Sequence, residues 1–198
     1  HSAEGSTVAP GFDLDAGRPA SNSCKHDEFF DAAGKKVIDN QLFRLMACTT
    51  YFNTDGFALF SNHALVDGGV NYVFEISGVT DGKNDQVEVK FYYSEDENLT
   101  DSGGNILPDV SIRVHDEPKA PVNVFRGKLV NGVLLAADGG EFNLPYAIEH
   151  IPHQMILRDV RLQLELKPDG TIDGMIGGYR DVENWFQFFR RVTSMAVS

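Results

Sequence analysis

The clearest pattern along the chain is period two. Val70, Tyr72, Phe74 and Ile76 alternate with Asn71, Val73, Glu75 and Ser77, and Val87, Val89, Phe91 and Tyr93 alternate with Glu88, Lys90 and Tyr92. Side chains on a strand point to opposite faces in turn, so each run predicts a strand with one face in a core. The polar segment 78–85, GVTDGKND, joins them as a hairpin turn. Strands are also predicted over Val110, Ile112 and Val114, over 122–125, and over 128–136, where Asn131-Gly132 is a strong hairpin signal. A later hairpin is the most regular. Val160, Leu162, Leu164 and Leu166 alternate with Asp159, Arg161, Gln163 and Glu165, turn through Lys167-Pro168-Asp169-Gly170, and lead into 171–179. Gly174, Gly177 and Gly178 thin that last strand, which predicts a bulge or the close approach of another backbone.

Helical spacing occurs twice. Leu42, Phe43, Leu45 and Met46 give a short helix with Asp39 or Asn40 as its cap, and Val182, Trp185, Phe186, Phe189 and Val192 give a carboxy-terminal helix capped by Asp181. The fold expected is therefore mainly β, an antiparallel β-sandwich-like two-layer fold with a short helix in the first half and a helix at the carboxy-terminal end. Residues 1–22, rich in Gly, Pro and Ser, read as an extended arm or linker, and 23–198 as a single β-rich domain.

Composition narrows the partners. A net charge of -12 argues against nucleic acid and against an anionic membrane surface. No apolar run reaches the roughly 18 residues a membrane-spanning helix needs. The opening HSAEGSTVAPG lacks the charged start and apolar middle of a signal peptide, so a mature or trimmed product is expected. The two cysteines, Cys24 and Cys48, fit one disulfide formed in an oxidising space, hence a secreted, periplasmic or extracellular protein; the alternative is two buried thiols.

Candidate chemistry is sparse. Asp27, Asp31, Asp39 and Asn40 in one segment, and Asp81, Asn84 and Asp85 in another, supply the oxygen atoms that calcium takes in a flexible shell. Neither spacing is that of an EF-hand, and the same residue types cap helices and build turns. His150 and His153, with Glu149 and with His115-Asp116-Glu117 as a candidate neighbour, offer a zinc or copper set, although Pro152 forbids a regular helix there. His1 resembles, in that single residue, the amino-terminal histidine with which lytic polysaccharide monooxygenases begin their copper site. Asn98-Leu99-Thr100 matches a glycosylation acceptor. Signatures of several enzyme classes, GxSxG, Walker A and GxGxxG among them, are missing.

The run CKHD, the Asp-Gly turn, DNQLFR and the second Cys, together with LELKPDGTIDGMIGGY, resemble uncharacterised secreted bacterial β-rich domains with a Cys, Asp-Asn-Gln, Cys frame. The resemblance implies an envelope or extracellular location and no activity. The function expected is a non-catalytic binding or structural module for a protein partner or a glycan, stabilised by calcium where the aspartates bind it. One alternative is a copper or zinc enzyme acting on polysaccharide. The other is a subunit of a larger assembly, an oligomer whose amino-terminal arm lies along a neighbour.

Overall fold

The computed structural model describes residues 7–15, 26–46, 49, 56–66, 71–94, 96–114, 123–137, 140–148 and 151–195. The chain divides into two compact units, residues 1–60 and 61–198.

In the first unit, β1 (Phe29–Phe30) and β2 (Lys36–Ile38) form a two-stranded antiparallel sheet. The turn between them is the one the sequence predicts. Asp31 accepts hydrogen bonds from the N–H groups of Ala33 (2.9 Å) and Lys35 (2.8 Å), and Gly34 takes φ 83°, a left-handed value that suits glycine. Part of the segment expected to be an arm joins this sheet. Val8 bridges Phe30, the Phe30 N–H donates to Thr7 O, and Ala9 is buried with Phe29 and Ile38. The helix α1 (Gln41–Met46) follows, with Asn40 as its cap: Asn40 Oδ1 accepts from the Phe43 N–H at 2.9 Å. Phe43 turns its edge to the Phe29 ring, 5.6 Å between centroids, and so ties the helix to the small core.

A second helix, α2 (Gly56–Val66), runs across the division. Period two was expected from residue 51 onward, and the correction has a physical cause. FALFSNHALV carries apolar residues on every side, so neither period stands out.

The second unit is mainly β, as expected. Its seven strands are β3 (Tyr72–Ser77), β4 (Asp85–Tyr93), β5 (Asn123–Val130), β6 (Val133–Ala136), β7 (Glu141–Ile148), β8 (Ile151–Leu166) and β9 (Ile172–Arg180), all antiparallel. Hairpins join β3 to β4, β5 to β6, and β8 to β9. At the second of these, Asn131 and Gly132 take φ 51° and 84°, the pair of positive values that a two-residue hairpin turn demands. Strands β3, β4, β5, β6 and the carboxy-terminal half of β8 follow one another across the sheet.

The long strand β8 makes the second layer. Its residues 162–165 pair with β6, while its residues 151–158 pair with β7. Phe142 of β7 then packs against Phe91 of β4 (5.1 Å) and Phe125 of β5 (5.2 Å), and is fully buried. Two polar links bind the same layers: the Tyr72 hydroxyl donates to Pro145 O at 2.8 Å, and the Asn123 amide both donates to and accepts from the Asn143 backbone. The result is an antiparallel, sandwich-like arrangement around Val89, Leu129, Leu134, Phe142 and Val160.

The helix α3 (Val182–Met195) ends the chain as predicted, with Asp181 Oδ1 accepting from the Asn184 N–H at 2.9 Å. The strand expected at 110–114 is not formed. There Asp96 takes the Arg113 N–H at 2.6 Å and its guanidinium at 2.8 Å, which fixes that segment by a side chain instead of a ladder. Among the described residues no helix is long and apolar enough to cross a membrane.

Candidate functional site

The aspartates singled out as oxygen ligands are mostly occupied by their own backbone. Asp85 closes the β3–β4 turn: one carboxylate oxygen accepts from the Thr80 hydroxyl, the other from the N–H groups of Thr80 (2.9 Å), Asp81 (3.2 Å) and Gly82 (2.8 Å). The Thr80 hydroxyl, then the Thr80 N–H and the remaining donors, outweigh desolvation and hold its carboxyl down to about 2 from an ordinary 3.8. A carboxylate offers about four lone-pair sites, and four donors use them. Asp81 accepts from the Lys83 N–H at 2.9 Å, and Asn84 is exposed. In the first unit, Asp27 is exposed, with its backbone carbonyl accepting from Arg44 at 2.6 Å. Asp31 and Asn40 serve the turn and the cap already described.

Asp39 differs from these, its side chain only 3% exposed. It receives the N–H of Leu14 at 2.8 Å and of Asp15 at 3.3 Å, and its other oxygen lies 3.0 Å from His26 Nε2. With Asp13 and Asp15 it forms the one group of three carboxylates, among the described residues, whose oxygens lie within 4.8 Å of one another. Asp27, Asp31 and Asn40 stay outside that group. Its chemistry is that of a clasp holding residues 12–15 to β2, since the Asp39 N–H also donates to Phe12 O at 3.1 Å.

The other expected centres fall elsewhere. Cys24, Cys48, His1, His150, Glu149, His115, Asp116 and Glu117 lie outside the described residues; so does the side chain of His153, whose backbone pairs with Tyr146 in the ladder of β7 and β8. Asn98 donates its amide to Leu65 O at 2.6 Å and accepts from Asn71.

A different cluster forms where β8 bends. Arg158 faces Tyr179 and Arg161 faces Gly177, so two residues of β8, Asp159 and Val160, stand opposite Gly178 alone. This is a β-bulge, and Asp159 takes φ 52°, a left-handed value that aspartate tolerates better than most residues. The extra residue resets the alternation. Leu157, Val160, Leu162 and Leu164 are all buried, and Arg158 and Arg161, an odd number of positions apart, both reach the outer face. On that face Tyr179 is 42% exposed. Gly177 beside it has no side chain, so the flank of the ring stays open. Glu141, opposite Arg158 on β7, lies 4.0 Å from its guanidinium. Directly opposed residues of an antiparallel pair hold their Cβ atoms about 5 Å apart, and residues two along a strand lie about 7 Å apart. One aromatic ring, two guanidiniums and two carboxylates thus share a patch about the size of a sugar ring.

No family model, curated protein or solved structure matches this chain. The reading of the site therefore rests on its geometry. The sequence signal for it was the glycine pair at 177–178, which predicts a bulge or a close backbone approach, and both occur: a Cβ on Gly178 would lie 2.8 Å from Arg158 O.

Proposed function

We propose that the chain is a non-catalytic binding module of the cell envelope or exterior, and that its ligand is a glycan. The observation that carries this reading is Tyr179, a large ring held exposed on the outer face of a sheet, with an open flank at Gly177 and charged groups around it. A sugar presents an apolar face of C–H groups and a rim of hydroxyls. A tyrosine ring covers the first, and guanidinium and carboxylate groups on its rim hydrogen-bond the second. The strand on each side is pinned by a buried neighbour, so the ring is held in place before a ligand arrives, which lowers the ordering cost of binding. The exterior location rests on the pair of cysteines.

Affinity electrophoresis in gels containing soluble polysaccharides tests this reading. Covering half an aromatic ring is worth about 1–1.5 kcal/mol, so Tyr179→Ala weakens retention about tenfold while Tyr179→Phe keeps most of it. Parent protein running unretarded in every gel, or equal retention by Tyr179→Ala, overturns the proposal.

A second reading has its own observation. Among the described residues β9 pairs with β8 alone, and an open strand edge accepts an extended segment of a protein partner. In that case binding survives Tyr179→Ala and is lost when the outward backbone N–H groups of β9 are blocked by proline.

A further inference from the structure

The chain carries 29 acidic against 17 basic residues, and its field repels anions at long range. The bulge nonetheless directs two arginines to one spot. Without the inserted residue, positions 158 and 161 would face opposite sides of the sheet, and one guanidinium would enter a core made of Leu157, Val160 and Leu162. The strand accepts a left-handed Asp159 to avoid this, and the ladder is broken between Arg158 and Arg161.

We infer that the ligand of the bulge is an anionic saccharide, bearing carboxylate or sulfate groups, gripped by Arg158 and Arg161 while Tyr179 lies on a sugar ring. This rests on the glycan reading and names its class. Guanidinium presents five N–H donors in a planar fork that matches the two oxygens of a carboxylate or the edge of a sulfate. Few of those donors are committed here. The Arg158–Glu141 contact is long and exposed, an ion pair of the kind that contributes little, and Arg161 Nη1 reaches only its neighbour Val160 O at 3.5 Å. Glu141 and Asp159 bring two negative charges to the rim, so the patch is nearly neutral as a whole. Selection for an anion therefore comes from directed donors at contact, not from a long-range field, which salt screens beyond roughly 10 Å in any case. The carboxylates keep a role, as acceptors for sugar hydroxyls at the patch edge.

Affinity electrophoresis in polygalacturonate, hyaluronate and heparin gels, set against fully methyl-esterified polygalacturonate and dextran, decides the matter. The expected result is retardation in at least one anionic gel and none in the esterified chain. The double variant Arg158→Gln/Arg161→Gln weakens apparent affinity at least tenfold with its urea midpoint unchanged, and Arg158→Lys/Arg161→Lys, which keeps charge but not the fork, falls between. Retardation confined to neutral gels and abolished by Tyr179→Ala overturns the anionic class and leaves the glycan reading standing. Retardation in anionic gels that the double Gln variant does not weaken overturns the assignment to the arginines. Free migration in all five gels overturns both.

Discussion

Gly178→Ala asks whether the bulge is held by contact between two backbones. A Cβ at this position would lie 2.8 Å from Arg158 O, 3.1 Å from Leu157 Cβ and 3.3 Å from Val160 Cγ2. Ordinary carbon contacts begin near 3.5 Å, so β9 must move away from β8, or the bulge must open. Overpacking of this kind costs about 1–3 kcal/mol, and the smaller entropy of the unfolded alanine chain returns about 0.4–1 kcal/mol, leaving a net loss near 1–2 kcal/mol. With a urea slope of about 2 kcal/mol per molar, the midpoint falls by about 0.5–1 M. The fluorescence of Trp185, the single tryptophan, follows the unfolding of this unit. Two further glycines set a scale. At Gly127 the added carbon would meet Leu135 O at 2.3 Å and Ala136 Cα at 2.9 Å, both backbone of the facing strand, and the loss should be larger. At Gly174 the nearest atom is Leu164 Cδ2 at 2.5 Å, the far end of a side chain that can rotate, and the loss should be smaller. Glycan retention should fall in Gly178→Ala beyond what lost stability explains, because the shift moves Tyr179 relative to Arg158. A Gly178→Ala protein as stable as its parent, or an inverted order among the three, refutes the packing argument.

Two other outcomes follow from named contacts. Asp85 has its carboxyl held at about 2 in the folded chain against an ordinary 3.8, so its stabilising contribution is complete above the ordinary value and is lost as the pH falls from 3.8 toward about 2. In Asp85→Asn the urea midpoint should decline less steeply over that window than in the parent, and identical slopes would show that the turn does not draw on the ionised carboxylate. In the first unit, Asn40→Ala removes the cap of α1 and the 2.7 Å bond from its amide to Pro10 O, a loss of about 1 kcal/mol for the cap. Amide exchange at the Phe43 N–H should speed up; unchanged protection there would mean that the helix is held by Phe29 packing alone.

Which parts of the fold were legible follows from where local chemistry and tertiary demand agree. The hairpins at 78–85, 131–132 and 167–170 were readable because their turn residues are the ones a positive φ requires, and the caps at Asn40 and Asp181 because a short polar side chain there meets an orphaned N–H. The layer made by β7 and the first half of β8 was hidden by Pro145 and Pro152. Proline argues against a central strand, yet Pro145 lies in β7, which pairs with β8 alone, and Pro152 lies where β8 pairs with β7 alone, so each has one side of its strand unpaired among the described residues. The aspartate clusters misdirected attention for a related reason. The oxygen atoms that suit calcium also suit backbone N–H groups, and a chain that must close turns uses them there first.

The bulge was half visible. Met155 and Leu157 hold odd positions and Val160, Leu162, Leu164 and Leu166 even ones, a change of phase that only an inserted residue reconciles with a single buried face. The partner strand gave no such guide, because Gly174, Gly177 and Gly178 leave β9 with too few side chains to show which face is apolar. The exposure of Tyr179 therefore became readable only once its register against β8 was known: Ile176 opposite buried Leu162 points inward, and Tyr179 opposite Arg158 points out. A strand keeps a regular ladder unless something else is gained, and here the irregular residue keeps the core apolar while setting two arginines beside one ring. That coincidence of a broken local rule with a cluster of binding groups is why the bulge, and not the aspartates, is where a ligand should be sought.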